Sequence, residues 1–202
     1  MAKRSADKKN RPGRLRIVAG NWRSRLLEIE DAPGLRPTSE RIRETLFNWL
    51  APRLADARCL DLFAGSGALG LEALSRGAAS CAFVENSAIV VAALRKNVAT
   101  LDAVGADIHE IDAIEYIKGL DKAEFDIVFL DPPFATDMHA DLCRLLVERS
   151  LLTEGARIYI EEGRSTPATV LPVGWQILHT KNAGNVRYSL MSSGSKYERK
   201  HR

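Results

Sequence analysis

The stretch Cys59-Leu60-Asp61-Leu62-Phe63-Ala64-Gly65-Ser66-Gly67-Ala68-Leu69-Gly70-Leu71-Glu72-Ala73 decides the fold. Its first residues read as a buried strand, its middle as a tight turn and its end as a helix. Without a Cβ, Gly65 and Gly67 let the backbone bend sharply and approach a ligand closely. Phe63 and Ser66 belong to the same turn and join the candidate ligand-binding residues. Gly65, Gly67 and Gly70 also satisfy G-x-G-x-x-G, so a dinucleotide site has to be weighed. Asp61 helps to separate the ligands. A pyrophosphate over the turn would be repelled by a carboxylate at the strand end. S-adenosylmethionine carries an ammonium and a sulfonium, which that carboxylate attracts. The other role open to Asp61 is that of an acid capping the turn or the helix.

From residue 58 onward the pattern alternates. Apolar runs at 58–63, 81–85, 107–111, 125–130 and 156–161 read as strands, with helical stretches near 68–76, 87–101, 112–118 and 137–149. Such alternation implies a parallel sheet covered on both faces. Two more strands, 175–181 and 186–191, flank Asn182-Ala183-Gly184-Asn185, which signals a hairpin rather than a crossover. The expected fold is therefore doubly wound α/β, Rossmann-like, with a mostly parallel seven-stranded sheet and a C-terminal antiparallel hairpin.

Before the glycine turn, residues 15–19 and 25–29 read as a small hairpin around Gly20-Asn21-Trp22-Arg23-Ser24. Thr38 is the expected N-cap of a helix, with Glu40 in its first turn. Ile42, Leu46, Trp49 and Leu50 fall on one face, Arg41, Arg43, Glu44 and Asn48 elsewhere, and Pro52 ends the helix. Four parts follow: a basic, disordered tail over 1–14, a hairpin–helix extension over 15–52, a catalytic domain over 53–192 and a basic tail over 193–202.

Strand ends carry the remaining chemistry. Glu85, followed by Asn86, ends the second strand of the alternating region, where an acid suits both hydroxyls of a ribose, whether of an adenosyl donor or of NAD. Asp112 could accept from an adenine amino group or cap the helix that follows, and Ala113 could offer its N–H to the ring. The strand 125–130 runs into Asp131-Pro132-Pro133-Phe134. Consecutive prolines fix φ and lack N–H donors, so the carbonyls of Asp131 and Pro132 are held in one shape. The Asp131 carboxylate and a proline carbonyl could together accept both hydrogens of an exocyclic amine. That would favour a pyramidal nitrogen with its lone pair aimed at a methyl donor. Phe134 would stack on the base. Transfer would then rest on positioning and exclusion of water, with no metal.

Charge points to the acceptor. The chain is +3 overall, but residues 1–25 carry nine Lys/Arg against Asp7, residues 196–202 are +3, and the body between is −8. A basic arm on an acidic body suits a nucleic acid; the bland reading is a solubilising tail. Arg16, Arg23 and Arg25 of the hairpin, with Arg36, Arg41 and Arg43 around the first helix, are the candidate RNA-backbone ligands. Cys59, Cys81 and Cys143 have no CxxC spacing and read as buried thiols, and the four histidines are scattered. At 46% hydrophobic and 27% charged the chain can bury a sizeable core. No apolar run has the ~18 residues of a membrane span, and the N-terminus lacks the apolar core of a secretory signal. A cytoplasmic location is expected.

The segments RIVAGNWRSRLLEI (16–29), GLRPTSERIRETLFNWL (34–50), CLDLFAGSGALGLEALSRGA (59–78) and DIVFLDPPF (126–134) resemble the RsmD family, the bacterial 16S ribosomal RNA guanine-N2 methyltransferases of class I fold. The resemblance covers about residues 15–191. It implies a monomeric, S-adenosyl-L-methionine-dependent enzyme that methylates the N2 of a guanine in the small ribosomal subunit or its assembly intermediate. Donor binding then falls on Asp61, Gly65, Gly67, Glu85 and Asp112, and catalysis on Asp131 and Phe134. Adenine-N6 methyltransferases and glutamine-N5 protein methyltransferases use similar loops, more often with Asn first and Tyr last. An NAD(P)-dependent oxidoreductase would need a His or Tyr at a strand end. A catalytically silent RNA-binding module on the same fold is the remaining alternative.

Overall fold

A computed structural model describes residues 13–29, 38–121, 124–133 and 138–194. The element order is β1 (Gly13–Arg16), β2 (Leu26–Ile29), α1 (Glu40–Leu54), β3 (Arg58–Asp61), α2 (Ala68–Ser75), β4 (Ser80–Glu85), α3 (Ala88–Leu101), β5 (Ala106–Glu110), α4 (Ala113–Gly119), β6 (Phe125–Leu130), α5 (His139–Glu148), β7 (Leu152–Gly163), β8 (Gln176–Ala183) and β9 (Val186–Ser192). The large sheet has the order β5-β4-β3-β6-β7-β9-β8. Strands β5 to β7 pair in parallel, and β9 pairs antiparallel with both β7 and β8. The seven strands and their closing hairpin are those expected. No described helix is long and apolar enough to cross a membrane.

The central strand β6 shows why the sheet forms. Ile127 and Phe129 face a core with Leu46, Phe47 and Leu71, while Val128 and Leu130 face another with Leu142 and Leu146. All four are fully buried. A strand covered on both faces gains from an apolar residue at every position, hence the unbroken run. Truncating Phe129 to Ala would cost about 3–5 kcal/mol.

The N-terminal hairpin belongs to the first of these cores. Leu15, Ile17, Leu27 and Ile29 join Phe47, Phe83 and Leu94 there. Its first strand starts at Gly13, inside the stretch expected to be tail, and stops at Arg16, short of residue 19. The early stop has a cause: the Val18 and Ala19 N–H groups donate to the Glu72 carboxylate, at 2.8 and 3.0 Å, not to a strand. Residues 1–12, including most of the expected tail, and 195–202 lie outside the described residues.

Helix α1 departs from expectation at three points. Ser39, not Thr38, is the N-cap, and its hydroxyl accepts from Ile42 N–H at 3.3 Å. Pro52 lies inside the helix, which runs on to Leu54. Pro52 and Asn48, whose carbonyl loses its helical N–H partner, are both exposed. Arg43, expected among the outward residues, is 1% exposed and belongs to the interior.

Candidate active site

In a sheet of this winding, ligands bind at the carboxyl ends of the strands, beside the point where the strand order reverses. Here that point lies between β3 and β6, and the expected residues collect there. Asp61 ends β3, Glu85 ends β4, Asp112 follows β5 and Asp131 follows β6.

The glycine turn is built as a cradle. Gly65 and Gly67 both have positive φ, 49° and 80°. The positive φ of Gly67 favours glycine, and a Cβ there would also crowd Leu94 Cδ1 at 2.5 Å and Leu71 Cδ1 at 2.9 Å. Glu85 fixes the turn from the side: Oε2 accepts from Gly65 N–H at 3.0 Å and Oε1 from Ser87 N–H at 2.9 Å. Each oxygen keeps a lone pair for a ribose hydroxyl. Ser66 is buried, Phe63 is half-buried and Asn86 is exposed beside the turn.

Asp61 performs the capping role left open by its sequence position. It is 2% exposed, and Oδ2 accepts from Gly70 N–H at 3.1 Å in the first turn of α2. Burial pushes its carboxyl up to about 7, against the Gly70 hydrogen bond, with a further push from the Glu85 charge. An acid raised by burial and a neighbouring carboxylate is relieved by a cation. Asp112 likewise caps α4, with Oδ1 accepting from Ile114 and Glu115 N–H at 2.8 and 3.2 Å. Ala113 is buried behind it.

On the β6 side, Asp131 receives a hydrogen bond from Thr38 Oγ1 at 3.3 Å. Its carboxyl is pushed well above the usual range by burial and by the charges of Glu161 and Asp61; the Thr38 hydroxyl opposes the shift. Pro132 is buried and Pro133 exposed, while Phe134 lies outside the described residues. The sequence reading missed Glu161. Leu130 pairs with Ile160 in parallel register, which places Glu161 beside Asp131. Tyr159 Oη donates to Glu161 Oε2 at 2.7 Å, and the His139 ring lies 3.0 Å from the Glu161 carbonyl oxygen. An acid closing the apolar run 156–161 was the available signal.

The candidate RNA ligands divide. Arg16, Arg23, Arg25 and Arg41 are exposed. Arg16 pairs loosely with Glu40 at 3.6 Å, and Arg25 donates to the Thr100 carbonyl at 3.1 Å. Arg36 lies outside the described residues. Arg43 is corrected to a structural residue. Its guanidinium donates to the Thr38 carbonyl (3.2 Å), Glu72 Oε2 (3.0 Å) and the Arg16 carbonyl (2.8 Å). A buried cation needs such a full set of acceptors, and none is left for a phosphate. Glu72 also binds Arg76 Nε at 2.7 Å, and Ser75 locks the hairpin turn through Ala19, Asn21 and Trp22. Gly20 sits so close that a Cβ there would lie 1.8 Å from the Ser75 carbonyl oxygen.

A reversed parallel sheet, a glycine cradle fixed by a strand-end acid and a proline-flanked carboxylate across the switch point define a Rossmann-like methyltransferase. The sequence model of the family described as "Conserved hypothetical protein 95" matches residues 15–192, and the chain belongs to that family. It is 46% identical over 180 residues to Ribosomal RNA small subunit methyltransferase D of Escherichia coli K12, covering 88% of this chain and 89% of that protein. The protein of the same description from Haemophilus influenzae is 41% identical over 184 residues, covering 90% and 95%. The solved structure of the Escherichia coli protein yhhF, a candidate methyltransferase, superposes with a TM-score of 0.85 at 41% identity, covering 91% of this chain and all of that one.

Proposed function

We propose that this methyltransferase transfers a methyl group from S-adenosyl-L-methionine to the exocyclic N2 of a guanine in 16S ribosomal RNA, within the small subunit or an assembly intermediate. The observation that carries the reading is Asp131: a carboxylate held by Thr38 at the end of β6, across the switch point from the glycine cradle. The description of the Escherichia coli and Haemophilus influenzae relatives supports a small-subunit RNA acceptor.

The residues of the cradle fit the donor. Glu85 retains lone pairs for two hydroxyls, Asp112 Oδ2 caps nothing, and the raised Asp61 carboxyl favours a cation. When bound, the donor supplies a methyl group activated on a sulfonium. The chain's own residues do the rest. Asp131 and the Pro132 carbonyl accept the amine hydrogens and orient the nitrogen. Phe134 stacks on the base. A nitrogen that gains a methyl must lose a proton, and Asp131, with its proton affinity raised beside Glu161, is placed to take it. Arg16, Arg23, Arg25, Arg36 and Arg41, with the basic tail, hold the RNA backbone around the splayed guanine.

The test is nucleoside mass spectrometry of small-subunit RNA lacking the modification, after incubation with enzyme and labelled donor. N2-methylguanosine is the expected product, and N6-methyladenosine would overturn the guanine assignment. Asp131→Ala should slow transfer about 10²-fold, the loss of ~3 kcal/mol of transition-state stabilisation, with donor affinity retained.

A further inference from the structure

The solvent flank of α1 and the edge strand β8 form a surface that the acceptor site does not use. Trp49 is half-buried and its indole stacks on His179, with centroids 4.9 Å apart and planes at 17°, and on Tyr188 at 5.6 Å and 27°. Lys181 Nζ stands 5.7 Å from the indole centroid. In the register, Lys181 pairs with Tyr188 and His179 with Leu190, so both β8 side chains share the sheet face that α1 covers. His179 and Lys181 are nevertheless exposed, as is nearly all of β8, which pairs on one side only.

Cations continue this surface in both directions along α1. Arg41, Thr45, Trp49 and Arg53 follow one another at four-residue spacing, on one slowly turning ridge. Arg41 lies near Thr38 and the acceptor site, and Arg53 is about 18 Å further on, at 1.5 Å per residue. Beside Gly155, Arg53 Nη2 and Arg157 Nη1 come within 3.6 and 3.8 Å of a single point. Burial and the nearby Arg53 charge lower the Arg157 proton affinity, so the two guanidiniums repel each other. Asp56 and Asp126 border the same hollow; Arg58 holds Asp126, and among the described residues Asp56 has no ion pair, so its carboxylate sets the near limit of the phosphate path. Among the described residues, none of Arg41, Arg53, Arg157 and Lys181 forms an ion pair with a carboxylate, although the half-buried Arg157 already donates through Nη1 to the Gly155 carbonyl and, at 2.9 Å, to the Ser192 hydroxyl. Aromatic rings flanked by unpaired cations are what an unpaired nucleic-acid strand requires: stacking for a base and charge for its phosphates. A protein partner would instead use a contiguous apolar patch, whereas Ile177 and Leu178, at the register irregularity of β8, are flanked by the exposed polar residues Gln176 and His179.

We propose that α1 and β8 form a second RNA-contact surface, with Trp49 and His179 as a stacking platform for an unpaired base and Arg41, Lys181, Arg53 and Arg157 as ligands of the phosphates leading away from the target guanine. This rests on the reading that the acceptor is RNA. It adds the path of the flanking strand, along one side of the molecule and away from the N-terminal hairpin.

The test uses full-length protein and exposed side chains. Lys181→Ala combined with Arg53→Ala removes two charges. Binding to an rRNA fragment containing the target, measured by filter binding over a salt series, should weaken about tenfold, and the slope of log affinity against log salt should flatten by about 1.4. His179→Ala should weaken binding several-fold without altering that slope, and His179→Tyr should restore it. Methyl transfer should lose in KM rather than in kcat. Retained melting temperature and donor affinity show that each variant is folded; should the double variant fail this control, Lys181→Ala alone, expected to flatten the slope by about 0.7, decides. Unchanged RNA affinity and slope in these variants, with wild type binding normally, overturns the proposal. So does a loss seen only on protein-containing particles, which would assign the surface to a protein. Wild-type enzyme that neither binds nor methylates RNA overturns the function reading itself, before any variant is compared.

Discussion

Thr38 Oγ1 donates to Asp131 Oδ2 over 3.3 Å, joining the segment before α1 to the carboxylate at the end of β6. Arg43 in turn holds the Thr38 carbonyl and Glu72. One line of contacts therefore runs from the helix of the glycine cradle, through α1, to the acceptor carboxylate. The segment that presents exposed arginines is part of the wall of the proposed active site.

This contact makes the pH profile a probe. The Thr38 hydrogen bond is what lowers an Asp131 carboxyl otherwise held high by burial and by Glu161 and Asp61. Thr38→Val should push that carboxyl further up. The ascending limb of kcat against pH then moves to higher pH, and the rate at pH 7 falls. Thr38→Ser should restore the wild-type profile.

Donor affinity is expected to depend on Glu85. Glu85→Ala leaves the ribose hydroxyls and Gly65 N–H without their acceptor. Charge-assisted hydrogen bonds are worth roughly 1.5–3 kcal/mol each, so the affinity measured by calorimetry should fall about tenfold or more. Glu85→Gln, which keeps an acceptor oxygen, should fall less.

Asp61 ties donor binding to protons. Its folded carboxyl sits near 7, above the ordinary 3.8. A cationic ligand prefers the ionised form, so donor affinity should rise between pH 6 and 8, with proton release on binding at pH 6. For stability the sign is opposite. The favourable contribution of a raised carboxyl is complete below the unfolded value and is lost as pH rises towards 7. Asp61→Asn should therefore abolish the pH dependence of donor binding and gain stability relative to wild type at pH 8, read by urea denaturation.

Arg43 and Arg41 are two residues apart and should behave oppositely. Arg43→Met leaves the buried Glu72 with Arg76 alone of its two cations and should cost about 3 kcal/mol in urea denaturation. Arg41→Ala should change stability by no more than about 0.5 kcal/mol and weaken RNA binding instead.

This contrast shows where the sequence was legible. β6 appears with the bounds its apolar run predicted, because a strand buried on both faces needs no partner to be recognised. Glu85 and Asp131 were legible for a similar reason, each closing such a run where a strand must stop, whereas the run read as 58–63 carries on past Asp61, where β3 ends. Arg41 and Arg43 carry the same local signal, and only Glu72, 29 residues away, makes one of them internal. Glu161 escaped because its meaning depends on the register of β7 against β6. Thr38 was expected as the cap and Ser39 takes that role, because the Thr38 hydroxyl is engaged with Asp131 from across the fold, a contact no local pattern carries.

The docking of the hairpin on α2 also sets an order of events during synthesis. The Val18, Ala19 and Trp22 N–H groups find their acceptors in Glu72 and Ser75, 53 or 54 residues later. The hairpin precedes α2 in the chain, and although α1 can already meet it through Arg43, these N–H groups have no such acceptors until α2 has been made. A lone two-stranded ribbon is marginal in water. The hairpin turn therefore cannot lock until the residues of the helix that follows the glycine turn have been made.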